Sequence, residues 1–192
     1  MDGLPPYIPD IEALREHLQA AIELEHSTIP PYLCALYSIR TGANAEAAEI
    51  IRTVAVQEML HFILAANVLN AIGGAPTIDS PLFVPDYPAK IPVGAGEPLL
   101  VPLRKFSPEA IDTFLAIERP ALPPPMAATR RMMVPPVPVE PGQLTEMVRN
   151  GEIYPSIGDF YAAIEQALRA LEAASKTTIF TGAADRQIGA HL

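Results

Sequence analysis

The sequence predicts an all-α protein, an antiparallel helix bundle that carries a long, ordered, proline-rich insertion. Two long amphipathic segments, 10–40 and 45–73, follow each other across a short turn, which makes a helix pair antiparallel. A third segment, 156–178, also has the period of a helix. Most of the 22 prolines lie between the second and third segments. At 192 residues the chain is expected to form one domain, 1–192.

The first predicted helix, 10–40, has an apolar side that contains one carboxylate, Glu25. A second face carries polar residues at helical spacing, as a solvated face does. We therefore expect Glu25 to lie in the core and Glu23 to lie at the surface. The apolar side comprises Leu14, Leu18, Ala21, Ile22, Ile29, Leu33 and Leu36, and the polar face comprises Glu12, Glu16, Gln19 and Glu23.

Two prolines, Pro30 and Pro31, interrupt this segment. Proline cannot donate a backbone hydrogen bond, and its ring crowds the carbonyl four residues back. The chain is therefore expected to kink there, or to end one helix and begin another. In either case the carbonyls of His26 and Ser27 lose their helical partners.

The second predicted helix begins after Asn44, read as its N-cap, and ends at Gly73. Its apolar stripe contains two polar members, Glu58 and His61, one helical turn apart. A buried ionised carboxylate is too costly to keep unless it is paired, hydrogen-bonded or bound to a metal. The full stripe, expected to be buried, is Ala47, Ile51, Val54, Glu58, His61, Ala65, Val68 and Ile72.

The proline-rich segment, 75–155, is predicted to wrap across the bundle end as ordered chain, because it is too apolar for a disordered tether. A short helix near 107–118 interrupts it, with Ser107 as N-cap and Pro108 at the first helical position. Glu118 shares the apolar face of this helix. It is read either as a ligand or as a solvated charge, free or paired with Arg119.

The last predicted helix, 156–178, begins where the Ser156 hydroxyl can cap and Asp159 occupies the third position. Its core face holds Phe160 and Ile164, with Glu165 at the margin. The remaining segment, 179–192, shows no clear period.

Composition excludes several function classes. The net charge of −9 disfavours nucleic acid as a partner, and no motif for nucleotide binding or for a nucleophilic serine is present. The single cysteine, Cys34, fits a reducing compartment. No signal peptide and no uninterrupted run of about 18 apolar residues is found. The protein is therefore expected to be soluble and cytoplasmic and to bind no membrane.

The Glu58-x-x-His61 pair and Glu25 on the preceding antiparallel helix form half of a carboxylate-bridged dinuclear metal site. Carboxylates with imidazole favour iron or manganese over a structural zinc site, which commonly uses thiolates. A second Glu-x-x-His spacing ends at His26. We discount it because Glu23 lies on the polar face, although His26 could serve as a ligand, as a donor to a ligand or as a core histidine.

At these residues the chain resembles the ferritin-like family typified by the iminophenylpyruvate dimer synthase of violacein biosynthesis. Residues 24–33 and 58–62 carry the most specific part of the resemblance, which continues to 71–74. Weaker matches are Phe114 to Pro120, Ile157 to Tyr161, Phe180 to Gly182 and Arg186-Gln187.

The resemblance implies a ferritin-like bundle with a non-haem metal site in which Glu25, Glu58 and His61 are ligands. Family members continue into two further helices with another Glu and another Glu-x-x-His, whereas this sequence stops at Leu192. The chain is thus truncated at its C-terminus, or its site is mononuclear, or Glu118 and Glu165 complete the site. Truncation or loss is favoured, because Leu168 stands where Glu165 would need a histidine partner.

The function expected from this resemblance is that of an iron-dependent oxidoreductase acting on a small amino-acid-derived molecule in a biosynthetic pathway. Iron, in a dinuclear or mononuclear site, is the expected cofactor, with manganese as the alternative. Glu25, Glu58 and His61 are the expected catalytic residues, with Glu118 and Glu165 as further metal ligands. The other hypothesis is a non-catalytic helical module with a degenerate metal site that serves as a binding or assembly partner of a larger enzyme. Separately, a second copy in a homodimer could complete the four-helix core. Residues expected over the substrate are Phe83, Tyr87, Arg130 and Arg131.

Overall fold

The structure is a computed structural model that describes residues 8–91, 98–119, 154 and 156–189. Four helices form most of this described part. The predominance of helix confirms the sequence prediction. The described elements are α1 (Ile11–Ser38), α2 (Ala45–Ala71), β1 (Ala89–Ile91), β2 (Leu99–Val101), α3 (Pro108–Ile117), α4 (Ile157–Ala174) and a 3-10 turn, Ala184–Arg186.

The first helix, α1, runs unbroken through both prolines, so the alternative that one helix ends there and another begins is wrong. Asp10 caps its start by accepting a hydrogen bond from the Ala13 amide at 2.9 Å. Pro31 cannot donate to the Ser27 carbonyl, and the Tyr87 hydroxyl donates to that carbonyl instead, at 2.8 Å. An outside donor thus satisfies a carbonyl that the helix leaves open.

The second helix, α2, packs antiparallel to α1, as predicted. Arg15 near the start of α1 donates to the Ile72 carbonyl just after α2, while Thr28 further along α1 contacts Glu58 in the middle of α2. Asn44 precedes α2 but does not cap it with its side chain. It adopts a left-handed conformation with a φ of 47°, and its side chain makes no capping hydrogen bond.

The core lies mainly between α1 and its neighbours, and one side of α2 is left exposed. Ile51, Ala55, Glu58, Ala65 and Leu69 are the buried residues within α2. Helix α2 is long and apolar enough to cross a membrane. The core helix of a soluble protein can meet the same two criteria, so they do not distinguish the two cases. The exposed apolar side chains of α2 are Ile50, Val56, Met59, Leu60, Ile63 and Leu64.

The predicted proline-rich wrap lies partly outside the described residues, which omit 92–97, 120–153 and 155 and therefore Arg130 and Arg131. Its described parts contain an antiparallel strand pair that the all-α prediction did not include, with Ala89 opposite Val101. The predicted start of α3 is confirmed, since the Ala110 amide donates to the Ser107 hydroxyl at 3.3 Å.

The fourth helix, α4, begins as predicted, because the Asp159 amide donates to the Ser156 hydroxyl at 3.1 Å. It ends at Ala174, four residues before the predicted end at Thr178. Like α2, α4 contacts α1. Side chains of α1, α2 and α4 line one cavity.

The segment after α4 packs against the end of α2, although its sequence has no period that would indicate this. The Gly182 amide donates to the Ala71 carbonyl at 2.9 Å, and the Ile188 amide donates to the Asn67 side chain at 2.7 Å. A Cβ atom on Gly182 would lie 1.8 Å from the Asn70 carbonyl oxygen. Glycine is thus required by the close approach of the two backbones.

We predict that Gly182→Ala destabilises the protein, because the added methyl group collides with backbone that cannot rotate away. Overpacking of this kind costs about 1 to 3 kcal/mol, and each kcal/mol lowers the Tm of a chain this size by about 2 to 4 °C. Thermal unfolding measures the difference. Gly189→Ala is the matched control, since a Cβ there meets nothing within 4 Å. Equal Tm values for the two variants would contradict this account of the docked segment.

Candidate metal centre

Three side chains predicted as ligands converge in the middle of the α1–α2 pair. Glu25 comes from α1, and Glu58 and His61 come from successive turns of α2. The His61 Nδ1 atom lies 3.5 Å from Glu25 Oε2 and 3.6 Å from Glu58 Oε1. One donor atom of each side chain lies within 4.8 Å of the other two. A single cation can be bound by all three after small adjustments of the side chains.

The two carboxylates are buried, and the imidazole lies at the edge of the site. Glu25 and Glu58 are 2% and 4% exposed, whereas the His61 side chain is 52% exposed. The expectation that the whole α2 stripe would be buried is therefore wrong at His61. Periodicity places His61 beside the buried face, but no other helix among the described residues covers that side of α2.

Each carboxylate accepts a hydrogen bond from a hydroxyl group on one of its two oxygens. The Tyr161 hydroxyl of α4 donates to Glu25 Oε1, and the Thr28 hydroxyl lies 2.6 Å from Glu58 Oε2. The other oxygens, Glu25 Oε2 and Glu58 Oε1, are the ones that face His61. The hydroxyl groups thus occupy the outer oxygens, and the inner oxygens meet at the position where a cation would bind.

The electrostatics of the site favour a bound proton or a bound cation. Burial, and then the negative charge of Glu58, raise the pKa of Glu25 from 4.5 to about 8. Burial also raises the pKa of Glu58, although the hydrogen bond from Thr28 opposes this effect. Two carboxylates this close do not both ionise readily, because each destabilises the charge of the other. A divalent cation would remove this repulsion.

The donor set fits iron or manganese. Two carboxylate oxygens and one imidazole nitrogen suit these borderline cations, whereas a closed structural zinc site takes four ligands and often thiolates. Cys34 is outside the group, which among the described residues consists of Glu25, Glu58 and His61 alone. Three protein ligands leave positions on the metal for water or for a substrate.

Of the other predicted ligands, Glu118 lies close to the group and Glu165 lies further out. Glu118 follows α3, and its Oε1 accepts a hydrogen bond from the Tyr32 hydroxyl at 2.7 Å. Its negative charge contributes to the raised pKa values of Glu25 and Glu58. Glu165 is exposed and accepts a hydrogen bond from Arg169 at 2.7 Å. Neither glutamate belongs to the three-residue group.

The second Glu-x-x-His spacing does not add ligands to this group. Glu23 is buried at 4% exposure, so its assignment to a solvated face is wrong. It accepts a hydrogen bond from Gln19 at 3.1 Å. The His26 ring packs against Phe83 with 4.6 Å between ring centroids, and burial lowers the pKa of His26.

Sequence reasoning missed the hydroxyl groups that hold the site. Tyr161 belongs to a weak family match and Thr28 lies within a longer one, and neither match predicts a role for the hydroxyl group. Their hydroxyl groups reach carboxylates on other helices, which the period of a single helix does not reveal. The one available signal was that Tyr161 stands three and seven residues before Ile164 and Leu168, on the same face of α4.

A cavity of about 590 Å³ opens beside the three ligands. Its lining includes apolar side chains and, besides the three candidate ligands, the charged side chains of Glu118, Arg119 and Glu165. The volume lies within the range of about 300 to 1,000 Å³ that is usual for small-molecule sites. The apolar lining comprises Leu18, Leu64, Ala65, Val68, Ile117, Ile157, Ile164 and Leu168.

We predict that the metal-free protein loses stability as the pH rises from about 4.5 to about 8. Since the pKa of Glu25 is raised, the folded state retains a proton that the unfolded chain releases, and folding becomes less favourable as that proton is lost. Denaturant unfolding in the presence of a chelator measures this slope. Glu25→Gln should flatten it, and Glu16→Gln, which alters an exposed residue of the same helix, should not. A slope unchanged by Glu25→Gln would contradict the prediction.

The comparisons with known proteins agree with this architecture. The chain is similar to the crystal structure of a ferritin-like protein from Caulobacter vibrioides, with 26% identity and a TM-score of 0.62 over 87% of this chain and 54% of that one. The chain therefore spans about half the length of that protein. No curated protein matches the sequence. The comparisons give no support for placing the chain in the violacein-pathway subgroup. The profile named Ferritin-like matches residues 18–191. Because this match covers most of its length, the chain belongs to the ferritin-like family.

Proposed function

We propose that the protein is an iron-dependent oxidoreductase that acts on a small amino-acid-derived molecule. The observation that carries the proposal is the convergence of Glu25, Glu58 and His61 on one point at the wall of a cavity of small-molecule size. Structural metal sites are usually closed by their ligands, whereas catalytic sites keep positions open. The half-exposed His61 supports a centre of the second kind.

Each side chain has a defined task in this proposal. Glu25 and Glu58 supply the negative charge, and His61 completes the ligand set on the solvent side. Iron bound there would supply one-electron redox chemistry and the activation of dioxygen or peroxide. The proton that burial holds on the carboxylate pair must leave when a cation binds, because metal ligands must be deprotonated. Manganese remains the alternative metal.

The cavity suits a molecule with a polar head and an apolar body. Leu64 and Val68 of α2 and Ile164 and Leu168 of α4 contribute apolar lining, and Arg119 contributes a positive charge. An amino-acid-derived molecule has this polarity. In this proposal Arg119 binds the anionic group of the substrate, the role predicted from the sequence for Arg130 or Arg131, which lie outside the described residues. Glu118 lines the same cavity, but it is outside the three-residue group and is not a ligand in this proposal.

The proposal keeps the protein in the cytoplasm, free of nucleic acid and of membranes. The net charge of −9 and the single cysteine support this assignment. In this reading α2 is a bundle helix and not a membrane span, because Glu58 lies buried at its centre and contacts α1.

We predict that His61→Ala and Glu58→Gln each lower the affinity for Fe(II) by at least about 10-fold, because each removes a direct ligand. Elemental analysis after anaerobic loading gives the metal content per chain, and oxygen uptake with aromatic and aliphatic amino acids and their keto acids gives the activity. Gln57→Ala, which alters an exposed neighbour on α2, is the control. Metal content and oxygen uptake that match the wild type in both ligand variants would refute the proposed function.

A second candidate function is that of an assembly module, favoured by the exposed apolar side chains of α2. Val56, Leu60 and Leu64 are 48%, 53% and 59% exposed. From Thr53 to Ala71 the ionisable side chains are Glu58 and His61 alone. Two acidic chains could therefore meet along this stretch without like-charge repulsion, as a homodimer that brings two sets of ligands together.

We predict that, if this second function holds, the wild type sediments as a dimer and Leu60→Glu as a monomer. A charge placed on the contact surface must be desolvated when the copies pair, which is costly. Gln166→Glu adds the same charge at an exposed position of α4 and serves as the control. Sedimentation velocity with and without Fe(II) measures the association. A monomeric wild type under both conditions rules out the homodimer.

A further inference from the structure

We propose that Tyr161 and Thr28 are positioning residues that make Glu25 and Glu58 bind the metal through one oxygen each. The proposal rests on the proposed function only in that the group binds a metal. It concerns the way in which the carboxylates bind, which the ligand set alone leaves open. A carboxylate can bind a cation through one oxygen or through both.

The geometry shows how the second oxygen of each carboxylate is withheld. Glu25 Oε1 accepts the hydrogen bond from Tyr161, and Glu58 Oε2 accepts the one from Thr28. The remaining two oxygens face the same atom, His61 Nδ1. If both oxygens of either glutamate bound the metal, the hydrogen bond to its hydroxyl group would have to be broken or weakened.

The two hydroxyl groups are themselves held in place. Thr28 stands on α1 three residues after Glu25, and its single hydroxyl proton is shared between Glu58 Oε2 and the Glu25 backbone carbonyl, which lies 2.8 Å from the hydroxyl oxygen. Tyr161 comes from α4, and its ring packs edge-on against the fully buried Phe160. The position of Glu25 Oε1 is therefore tied to the packing of α4 against α1.

The consequence is a low coordination number. Two single oxygens and one nitrogen give three protein bonds to the metal, so several positions stay available to small molecules from the cavity. Two carboxylates that each bound through both oxygens would fill two of these positions. The hydroxyl groups thus preserve the open side on which the proposed chemistry depends.

The chain offers a matched control for each hydroxyl. Tyr32 is also a buried tyrosine whose hydroxyl donates to a carboxylate, but its acceptor is Glu118, outside the three-residue group. Tyr32→Phe therefore removes the same atom from a comparable setting. For Thr28, Thr28→Val removes the hydroxyl group at nearly constant shape, and Thr28→Ser retains it.

The experiment uses Co(II) as the probe, because its visible absorption weakens as its coordination number rises. In Tyr161→Phe and Thr28→Val we expect a weaker visible band and an affinity for Co(II) about 10-fold lower, the usual cost of losing a group that orients a ligand. Tyr32→Phe and Thr28→Ser should resemble the wild type in both measurements. The Tm of each metal-free variant shows whether it is folded.

The outcomes separate the two proposals. If the wild type binds Co(II) but Tyr161→Phe and Thr28→Val leave its spectrum and affinity unchanged, the positioning role is wrong and the metal site stands. The positioning role is equally wrong if Tyr32→Phe produces the same change as Tyr161→Phe. A wild type that binds no Co(II), Fe(II) or Mn(II) refutes both. Should Tyr161→Phe fail to fold, the comparison of Thr28→Val with Thr28→Ser decides the question.

Discussion

The close approach of two buried carboxylates, Glu25 and Glu58, is the constraint around which the site is organised. Burial raises the pKa of each, and the charge of Glu58 further raises that of Glu25. A pair of this kind is stable only with a proton or a cation between its members, or with donors around it. Tyr161, Thr28 and His61 are the polar groups next to the two carboxylates, and they come from three different helices. The fold therefore has to bring α1, α2 and α4 together at the position of Glu25 along α1.

The helix that supports most of these contacts, α1, carries two prolines shortly after Glu25. An unsatisfied carbonyl at Ser27 would weaken the helix at this point, because buried backbone groups need partners. The Tyr87 hydroxyl supplies the missing donor, and burial raises the pKa of Tyr87 to about 12, so the group remains a donor at neutral pH. The chain before β1 thus stabilises the continuous α1 on which Glu25 and Thr28 are placed. A break in α1 would separate Thr28 from Glu25.

The period of single helices predicted much of this arrangement. It identified α1 and α2, their antiparallel pairing, and the placement of Glu25 and Glu58 on facing apolar stripes. It failed where the outcome depends on a second element. Glu23 lies on the polar face of α1 by period and is nevertheless buried, while His61 lies at the edge of the α2 stripe and is half exposed. A period gives the direction of a side chain and does not show what covers it. The bond from Tyr161 to Glu25 joins residues 136 positions apart, which no local pattern encodes.

In the proposed metal site, the unequal burial of the three candidate ligands favours a catalytic centre over a structural one. If the metal served only to stabilise the fold, all of its ligands would be expected inside the core, with their remaining hydrogen-bonding groups satisfied. Here the charged ligands are inside, each with one oxygen already bonded to a hydroxyl, and the neutral ligand lies at the mouth of the cavity. A cation held in this way is anchored from one side and exposed on the other. Apolar side chains of α2 and α4 line the same cavity as these three side chains. A small molecule bound in the cavity would therefore lie against the face of the metal that the protein leaves free.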